Sequence, residues 1–293
     1  MTDTSSTNPR RPEFTTVELA IDSWAHARLR GRGRSRFRRV VIELSVFTLK
    51  QAWACVFGAL LLLGIVTVRA FWPNDAPVAS NDVLTLYAIA LQIAMLAFKL
   101  ETLRELWVVL LFHVTGTVME LFKTAMGSWI YDPEGLLRVG GVPLFTGFMY
   151  AAVGSYMVRT MRMFDLRFFR YPPRTLTVVV AVLIYSNFFT HHFAFDFRWI
   201  LLAAVLLIWG RCTMYFRIHR RRFPMPILVA FGLVAVFIWI AENLGTFAGA
   251  WLYPSQLDGW EPVSLQKVTS WFLLMIISVV LVTFVHRPRE PDS

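Results

Sequence analysis

Apolar blocks of about 18–24 residues, with few charges inside them, recur along this chain, and a block of that length crosses a hydrocarbon core about 30 Å thick. The composition points the same way: 56% of the 293 residues are hydrophobic and 16% are charged, against about a quarter charged in soluble domains. A soluble single-core fold is therefore excluded. The sequence predicts an all-α, polytopic bundle of membrane helices.

Eight transmembrane helices account for these blocks. We predict them at about residues 49–72, 82–100, 104–124, 140–159, 175–193, 198–216, 225–247 and 265–286. Five arginines lie in or just before each of the connections after the fourth and sixth spans, whereas the connections after the first, third, fifth and seventh spans are poor in Lys and Arg. Because cytoplasmic loops carry the excess of positive charge, we expect both arginine-rich loops and both termini to be cytoplasmic.

The N-terminal residues read as a basic arm outside the membrane domain. Residues 1–14 are polar and expected to be disordered. Thr15-x-x-Glu18 matches a capping box and predicts a short amphipathic helix to about Leu29. The run from Gly31 to Arg39 holds five arginines, which suit anionic lipid headgroups. The alternative reading of this run is a topogenic signal only.

These patterns predict three regions and restrict the partners. The regions are a cytoplasmic arm at 1–44, an integral membrane domain at 45–286 and a cytoplasmic tail at 287–293. The formal net charge of +10 is explained by arginines that flank membrane spans, so we expect membrane lipids and no nucleic acid as partners. The sequence leaves the oligomeric state open.

An internal repeat relates the third span to the seventh. Glu120-LFKTAM-Gly127-Ser-Trp129-Ile-Tyr131 and Glu242-NLGTFA-Gly249-Ala-Trp251-Leu-Tyr253 have the same spacing at an offset of 122 residues. After a one-residue slip, Val142-Pro-Leu144 matches Val263-Ser-Leu265. The pattern predicts two four-helix halves, at about 45–160 and 171–286, related by an axis along the membrane normal.

The repeat makes the two glutamates the first candidates for chemistry. It places Glu120 and Glu242 at equal depth toward the extracytoplasmic side, where two nearby carboxyls would share a proton and act as acid and base. Glu120 has an alternative role in an ion pair with Lys123, three residues later. Glu242 has no basic residue at that spacing. The aromatic residues after each glutamate are candidates for substrate binding or, alternatively, for interfacial anchors: Trp129, Tyr131, Trp251 and Tyr253.

Histidine and asparagine side chains complete the candidate site. His113 lies two turns before Glu120, and His191 follows Asn187 by one turn at the outer end of span five; Asn243 directly follows Glu242. Adjacent helical residues diverge by about 100°, so we expect that His191 and His192 do not both bind one metal unless the helix has ended there. No ligand-spacing motif such as H-E-x-x-H is present in the sequence, and no cofactor is assigned.

Five sequence stretches support a resemblance to a known family. They are GVPLFTGFMYAAVGSYMVR, FDLRFFRYPPR, NFFTHHF, AENLGTFAGAWLYP and VSLQKVTSWFLLMIIS. They resemble the YoaT-like family of uncharacterised bacterial integral membrane proteins, over about residues 45 to 286. The resemblance implies a multi-pass protein of the bacterial cytoplasmic membrane and no particular activity.

A second, fainter resemblance is to membrane carotenoid hydratases. Their motif also places Glu and Gly before an aromatic segment and a Gly-Val-Pro-Leu stretch. The matching residues here are Glu120, Gly127, Tyr131 and Gly141 to Leu144.

Taken together, the candidate residues favour a membrane-embedded enzyme or binder for a lipid-like substrate, with an isoprenoid as one such substrate. Glu120, Glu242, His113 and His191 are the candidate catalytic residues, and general acid chemistry is the most concrete form. The alternatives are a secondary transporter or proton-coupled carrier, which the parallel repeat favours, and a scaffold without turnover.

Overall fold

The computed structural model describes residues 15–29, 36–73, 75–218 and 221–291, and within them the fold is mostly helical. The helices, in chain order, are α1 Thr16–Leu29, α2 Arg36–Ala54, α3 Val56–Phe71, α4 Ser80–Ala97, α5 Leu103–Ala125, α6 Phe145–Met163, α7 Arg174–Thr190, α8 Arg198–Trp209, α9 Ile227–Phe247 and α10 Gln266–Val285. The predicted disordered segment at 1–14 and most of the arginine run at 31–39 lie outside the described residues.

Local sequence signals explain several helix starts. Thr102 and Glu105 form a capping box at the start of α5, in which the Glu105 amide donates to Thr102 Oγ1 over 3.2 Å and the Thr102 amide donates to Glu105 Oε2 over 2.7 Å. Pro173 and Pro226 directly precede α7 and α9. The Thr15 amide likewise donates to the Glu18 carboxylate over 2.8 Å where α1 begins.

Short strands complete the fold. They are β1 Arg138–Val139, β2 Val142–Pro143, β3 Arg167–Phe169, β4 Thr213–Arg217 and β5 Arg222–Pro226. β1 and β2 form a hairpin, and β3, β4 and β5 form an antiparallel sheet in that order. The two predicted arginine-rich loops thus pair with each other as a small sheet, and the Phe168 amide also donates to the carbonyl of Arg289 in the C-terminal tail over 2.8 Å.

The structure corrects three predicted spans. The sixth, at about 198–216, is wrong in its second half, because α8 ends at Trp209 and β4 follows. The fourth, at about 140–159, starts too early, because the hairpin occupies its first residues. The first, at about 49–72, is broken at Cys55, where α2 and α3 meet at an angle of 61°.

Four described helices are long and apolar enough to cross a membrane, and a fifth span results if the bent α2–α3 pair crosses as one. The four are α4, α5, α9 and α10. The helices α7 and α8 are apolar but shorter, and α8, with 12 residues, is only about 18 Å long. The chain is a helical membrane protein, and the described part supports four or five spans by length and composition.

Buried ion pairs hold α6 to its neighbours at the end away from β1 and β2. The Arg159 guanidinium is fully buried and lies 3.3 Å from the Glu101 carboxylate. Arg162 binds Glu18 of α1 over 2.7 Å and also contacts Glu105. Because a buried charge is stable only when it is paired, these contacts fix α1 against the bundle.

Candidate functional site

A cavity of about 730 Å³ lies between α3, α5, α6, α7, α9 and α10. Its wall on α10 runs from Gln266 to Ser278. Ser278 lies twelve residues after Gln266 and therefore about 18 Å further along the helix axis. Most lining side chains are apolar, and the polar ones gather where α5 and α9 end and α10 begins. We call this region the polar end of the cavity.

The cavity is not fully enclosed, because some of its lining residues on α3 and α9 are exposed. Ala59 of α3 lines it and is exposed. Four lining side chains of α9 are also exposed, namely Leu233, Phe237, Ile240 and Leu244. Because exposed apolar faces of membrane helices contact lipid chains, we expect this side of the cavity to face lipid.

Glu120, near the end of α5, is buried and accepts three hydrogen bonds at the polar end. Trp129 Nε1 and the Tyr131 hydroxyl donate to its Oε2 over 2.7 and 2.6 Å, and the Tyr150 hydroxyl donates to its Oε1 over 2.7 Å. Burial, followed by the charge of Glu120, raises the pKa of Tyr131 well above its usual range, so this phenol stays protonated and donates. The carboxylate is held by neutral aromatic donors and not by a cation.

Glu242, near the end of α9, has a matching environment. The Tyr253 hydroxyl donates to its Oε1, and Trp271 Nε1 donates to its Oε2 over 2.7 Å. Burial, followed by the charge of Glu242, also raises the pKa of Tyr253. Each glutamate therefore binds the tyrosine that lies eleven residues after it.

The two aromatic segments meet directly. The amides of Ile130 and Leu252 each donate to the other residue's carbonyl, over 2.9 and 3.0 Å. The rings of Trp129 and Tyr253 pack edge to face with centroids 6.1 Å apart. The structure thus joins the two glutamate environments into one aromatic cluster, although in the described part each carboxylate is bound by its own donors and not by the other glutamate.

Glycine permits the same sharp turn after both helices. Gly127 and Gly249 have φ values of +66° and +72°, which side chains rarely adopt. Each lies two positions after the last helical residue, and the amide of each donates to the carbonyl three residues earlier, over 3.0 Å in both cases. After this turn the chain returns toward the glutamate, so that Trp129 and Tyr131 reach Glu120 and Tyr253 reaches Glu242.

The predicted ion pair between Glu120 and Lys123 is wrong. Lys123 Nζ lies 2.8 Å from His192 Nε2 and 3.3 Å from His191 Nε2, and no contact between Lys123 and the Glu120 carboxylate occurs among the described residues. Burial lowers the pKa of both histidines and the charge of Lys123 lowers it further, whereas the hydrogen bond of His191 to the Asn187 carbonyl opposes the shift. Neutral rings accept a hydrogen bond at Nε2, which fits a donating ammonium group.

The helix α7 ends at Thr190, which is the condition under which the two histidines are not forced to diverge, and both rings reach one ammonium group. Among the described residues no group of three or more His, Cys, Asp or Glu side chains is arranged to hold a metal ion. Whether these histidines bind a metal stays a prediction.

The remaining candidates divide into two groups. Asn187, His191 and Trp251 line the cavity; Asn187 Nδ2 donates to Asp196 Oδ1 over 3.0 Å. His113 and Asn243 are not among the lining residues. His113 packs against Phe148 with ring centroids 4.8 Å apart.

Asn243 bridges backbone groups. Its Nδ2 donates to the Trp239 carbonyl over 2.7 Å, and its Oδ1 accepts from the Val263 amide over 2.9 Å. Its position therefore fits a structural contact between α9 and the loop before α10.

Sequence reasoning missed three residues of the site. Tyr150 and Trp271 donate to the two glutamates, and the one-residue slip that aligns Val142 with Val263 also aligns these two donors. Lys267, in the first turn of α10, has its Nζ 4.4 Å from the centroid of the Tyr253 ring and 5.7 Å from that of Trp129. A search restricted to charges inside spans does not find it, because it lies at a span end.

Comparison with known proteins gives a family and two distant structural likenesses. A family model described as "Protein of unknown function (DUF817)" matches residues 43–279. The uncharacterized protein YoaT of Bacillus subtilis (strain 168) is 38% identical over 252 residues, which is 86% of this chain and 95% of YoaT. A cross-linked trimer of MvINS is 14% identical with a TM-score of 0.47, and MvINS as a mycobacterial Insig homologue from Mycobacterium vanbaalenii is 12% identical with a TM-score of 0.48. Each covers 64% of this chain and 98% of the solved chain.

Proposed function

The chain belongs to the DUF817 family, and we propose that it is a membrane-embedded enzyme or binder for a lipid-like substrate, an isoprenoid being one such class. The observation that carries the proposal is one cavity that joins an apolar, partly exposed channel to a pair of buried carboxylates. An apolar chain would enter between α3 and α9, and its functional group would reach Glu120 and Glu242.

The geometry also suggests what chemistry such a site could perform. A carboxyl surrounded by phenol and indole donors and shielded from water can deliver a proton to an alkene or a polar headgroup. Tyr131, Tyr150 and Tyr253 would orient the reacting group, because their hydroxyls both donate and accept. We assign Glu120 and Glu242 as the candidate catalytic residues. His191 lines the same cavity, and its Nε2 lies 3.3 Å from Lys123 Nζ.

A carrier fits less well. Alternating access needs polar groups that serve a path to both faces, with the binding site near the midplane. The carboxylates here lie at the helix ends where α5 and α9 terminate, and the rest of the cavity wall is mostly apolar. A scaffold needs no cavity of this size, so the enzyme or binder remains the proposal that uses the observed geometry.

The topology that we propose keeps eight crossings with both termini in the cytoplasm of a bacterial cell, and places the polar end toward the extracytoplasmic side. The arginines of β3, β4 and β5 support this orientation. A reporter fused after Arg222 should stay cytoplasmic, and one fused after Gln256 should be exported. The reverse pattern would refute the orientation.

We also propose that the two halves are an internal repeat with an axis along the membrane normal. The support is local. Ile130 and Leu252 are 122 residues apart, the offset of the repeat, and the backbone hydrogen bonds that they exchange are related by a local twofold axis. Gly127 and Gly249, which precede them at the same distance, both adopt a positive φ.

Bound lipid provides the test of the proposed function. Ala241 of α9 lines the cavity, so Ala241→Trp should place a bulky ring in the path of a bound chain. Ala90→Trp, on an exposed face of α4, serves as the matched control. We expect a lipid to co-purify with the wild type and the control and to be lost from Ala241→Trp. Equal lipid content and identity in all three proteins would contradict the proposal.

Mass spectrometry of the same lipid separates enzyme from binder. If the site turns over, Glu120→Gln and Glu242→Gln should retain a lipid whose mass differs from that of the wild-type occupant by the transferred group. An unchanged mass in both variants would assign a binder.

A further inference from the structure

The polar end of the cavity contains three cationic side chains, and two of them have no direct ion pair among the described residues. Lys123, Lys267 and Arg198 all line it, from α5, α10 and α8 respectively. Arg198 is paired with Asp196 at 3.3 Å. In the part of the chain that the structure describes, neither lysine nitrogen has a carboxylate oxygen within 4.0 Å.

The contacts of the two lysines leave their charge uncompensated. Lys123 Nζ binds only imidazole nitrogens and the face of the Phe188 ring, whose centroid is 4.5 Å away. Lys267 Nζ lies over the rings of Tyr253 and Trp129 and has no described hydrogen-bond acceptor. An ammonium group has three donors, so both lysines can bind a further acceptor in the cavity.

The nearby glutamates do not fill this role. Both oxygens of Glu120 accept from Trp129, Tyr131 and Tyr150, and both oxygens of Glu242 accept from Tyr253 and Trp271. Lys267 also lies in the first turn of α10, where the helix dipole disfavours a cation and favours an anion. Two partly buried ammonium groups and a helix start thus face one volume in which, among the described residues, neither ammonium group has a carboxylate oxygen within 4.0 Å.

We propose that this volume binds the acidic headgroup of an apolar-chain molecule, a phosphate monoester being the chemistry that fits best. A phosphate oxygen accepts strong charge-assisted hydrogen bonds from lysine, and Lys123 and Lys267 line the polar end from two helices that contact each other, α5 and α10. The chain of the same molecule extends along the apolar channel toward Cys55 and Tyr156. This inference rests on the proposed function, because it assumes that the channel holds the chain.

A binding experiment on the full-length protein in zwitterionic nanodiscs tests it. The ligands are dodecyl phosphate, dodecanol and inorganic phosphate. The variants are Lys267→Met, Lys123→Met and Lys267→Arg, and Lys99→Met serves as the matched control because Lys99 is exposed and outside the cavity. Monodispersity by size exclusion identifies any variant that fails to fold.

We expect dodecyl phosphate to bind the wild type and Lys99→Met at least tenfold more tightly than dodecanol does. Each Lys→Met change in the cavity should weaken dodecyl phosphate by about tenfold or more, the value of one lost charge-assisted bond, and leave dodecanol within twofold. Lys267→Arg should retain most of the affinity. If Lys267→Met does not fold, Lys123→Met and Lys267→Arg still report on the headgroup.

The other outcomes overturn separate parts of the argument. Equal affinity for dodecyl phosphate and dodecanol overturns the acidic headgroup and leaves the lipid cavity standing. Inorganic phosphate that binds as tightly as dodecyl phosphate assigns a free-anion site and overturns the lipid source. If neither chain-bearing ligand binds, the proposed function fails and this inference fails with it.

Discussion

Glu120 is the residue where the aromatic cluster makes the sharpest stability prediction. Its carboxylate satisfies three buried donors, from Trp129, Tyr131 and Tyr150. In Glu120→Gln the amide oxygen can replace Oε2 and accept from Trp129 and Tyr131. The amide nitrogen then donates to the Tyr150 hydroxyl, which turns from donor to acceptor. All three contacts survive in Glu120→Gln, and only the charge is lost.

Glu120→Leu differs because all three donors are then orphaned. An unsatisfied buried donor costs about 1–3 kcal/mol, so this substitution should cost roughly 3–9 kcal/mol, comparable with a typical total of about 5–15 kcal/mol. Glu120→Gln should cost about 1–3 kcal/mol, the difference between charge-assisted and neutral bonds. Glu242→Leu orphans two donors, and its cost should be roughly 2–6 kcal/mol.

The measurement is SDS-induced unfolding together with thermal stability in one detergent, for these variants and two controls. Glu134→Gln is the matched control, because Glu134 is exposed. Lys123→Met tests the rejected ion pair and should leave the Glu120 environment intact, since Lys123 contacts histidines. If Glu120→Leu is as stable as Glu120→Gln, the hydrogen bonds do not hold the cluster together. A loss in Lys123→Met equal to that in Glu120→Gln would restore the ion pair.

Three further predictions concern other parts of the fold. Gly127→Ala and Gly249→Ala should each lower the free energy of unfolding by about 1–2 kcal/mol, because both glycines have a positive φ. Gly232→Ala inside α9, where an added Cβ meets no atom within 4 Å, should instead raise it by about 0.5–1 kcal/mol. Equal effects at all three positions would exclude backbone conformation as the cause. Arg162→Met should lower the free energy of unfolding by about 3–5 kcal/mol, because it leaves Glu18 and Glu105 buried without their cation. Arg287→Met, at an exposed site, should change that free energy little. Similar losses in the two variants would contradict the buried network. Burial, and then the charges of three nearby arginines, lower the pKa of His286 from 6.5 to about 4. Between these pH values the unfolded state binds more protons, so the free energy of unfolding should fall as the pH drops from about 6.5 to 4 and stay level above that range. A slope that persists in His286→Asn would arise from another group.

Much of the site could be predicted from sequence because the repeat fixes local geometry. The equal spacing of Glu, Gly, Trp and Tyr in both segments encodes a helix end, a left-handed turn and a returning aromatic side chain. The pairs Glu120–Tyr131 and Glu242–Tyr253 follow from that spacing. Family membership was also readable from the same stretches and is confirmed.

Other contacts depend on how distant elements pack, which hydropathy does not encode. Lys50 lies at a predicted span end, where long side chains usually extend toward water, but its ammonium group is buried and donates to the carbonyls of Met163 and Ile218 over 3.0 and 2.8 Å. Lys123 bonds to histidines 68 and 69 residues away. The short β4 resembles the end of an apolar span because Met214, Tyr215 and Phe216 are apolar or aromatic, and its pairing with β3 and β5 distinguishes it.

The central claim is that an apolar chain occupies the channel with its functional group at the polar end. Photocrosslinking tests it most directly, with a dodecanol that carries a diazirine at the far end of its chain, followed by mass spectrometric mapping. The account predicts labels on Cys55, Tyr156 and Met275, at the apolar end of the cavity, and their loss in Ala241→Trp. Labels confined to outer side chains such as Leu63, Leu86 and Trp107, which are exposed and do not line the cavity, would contradict it.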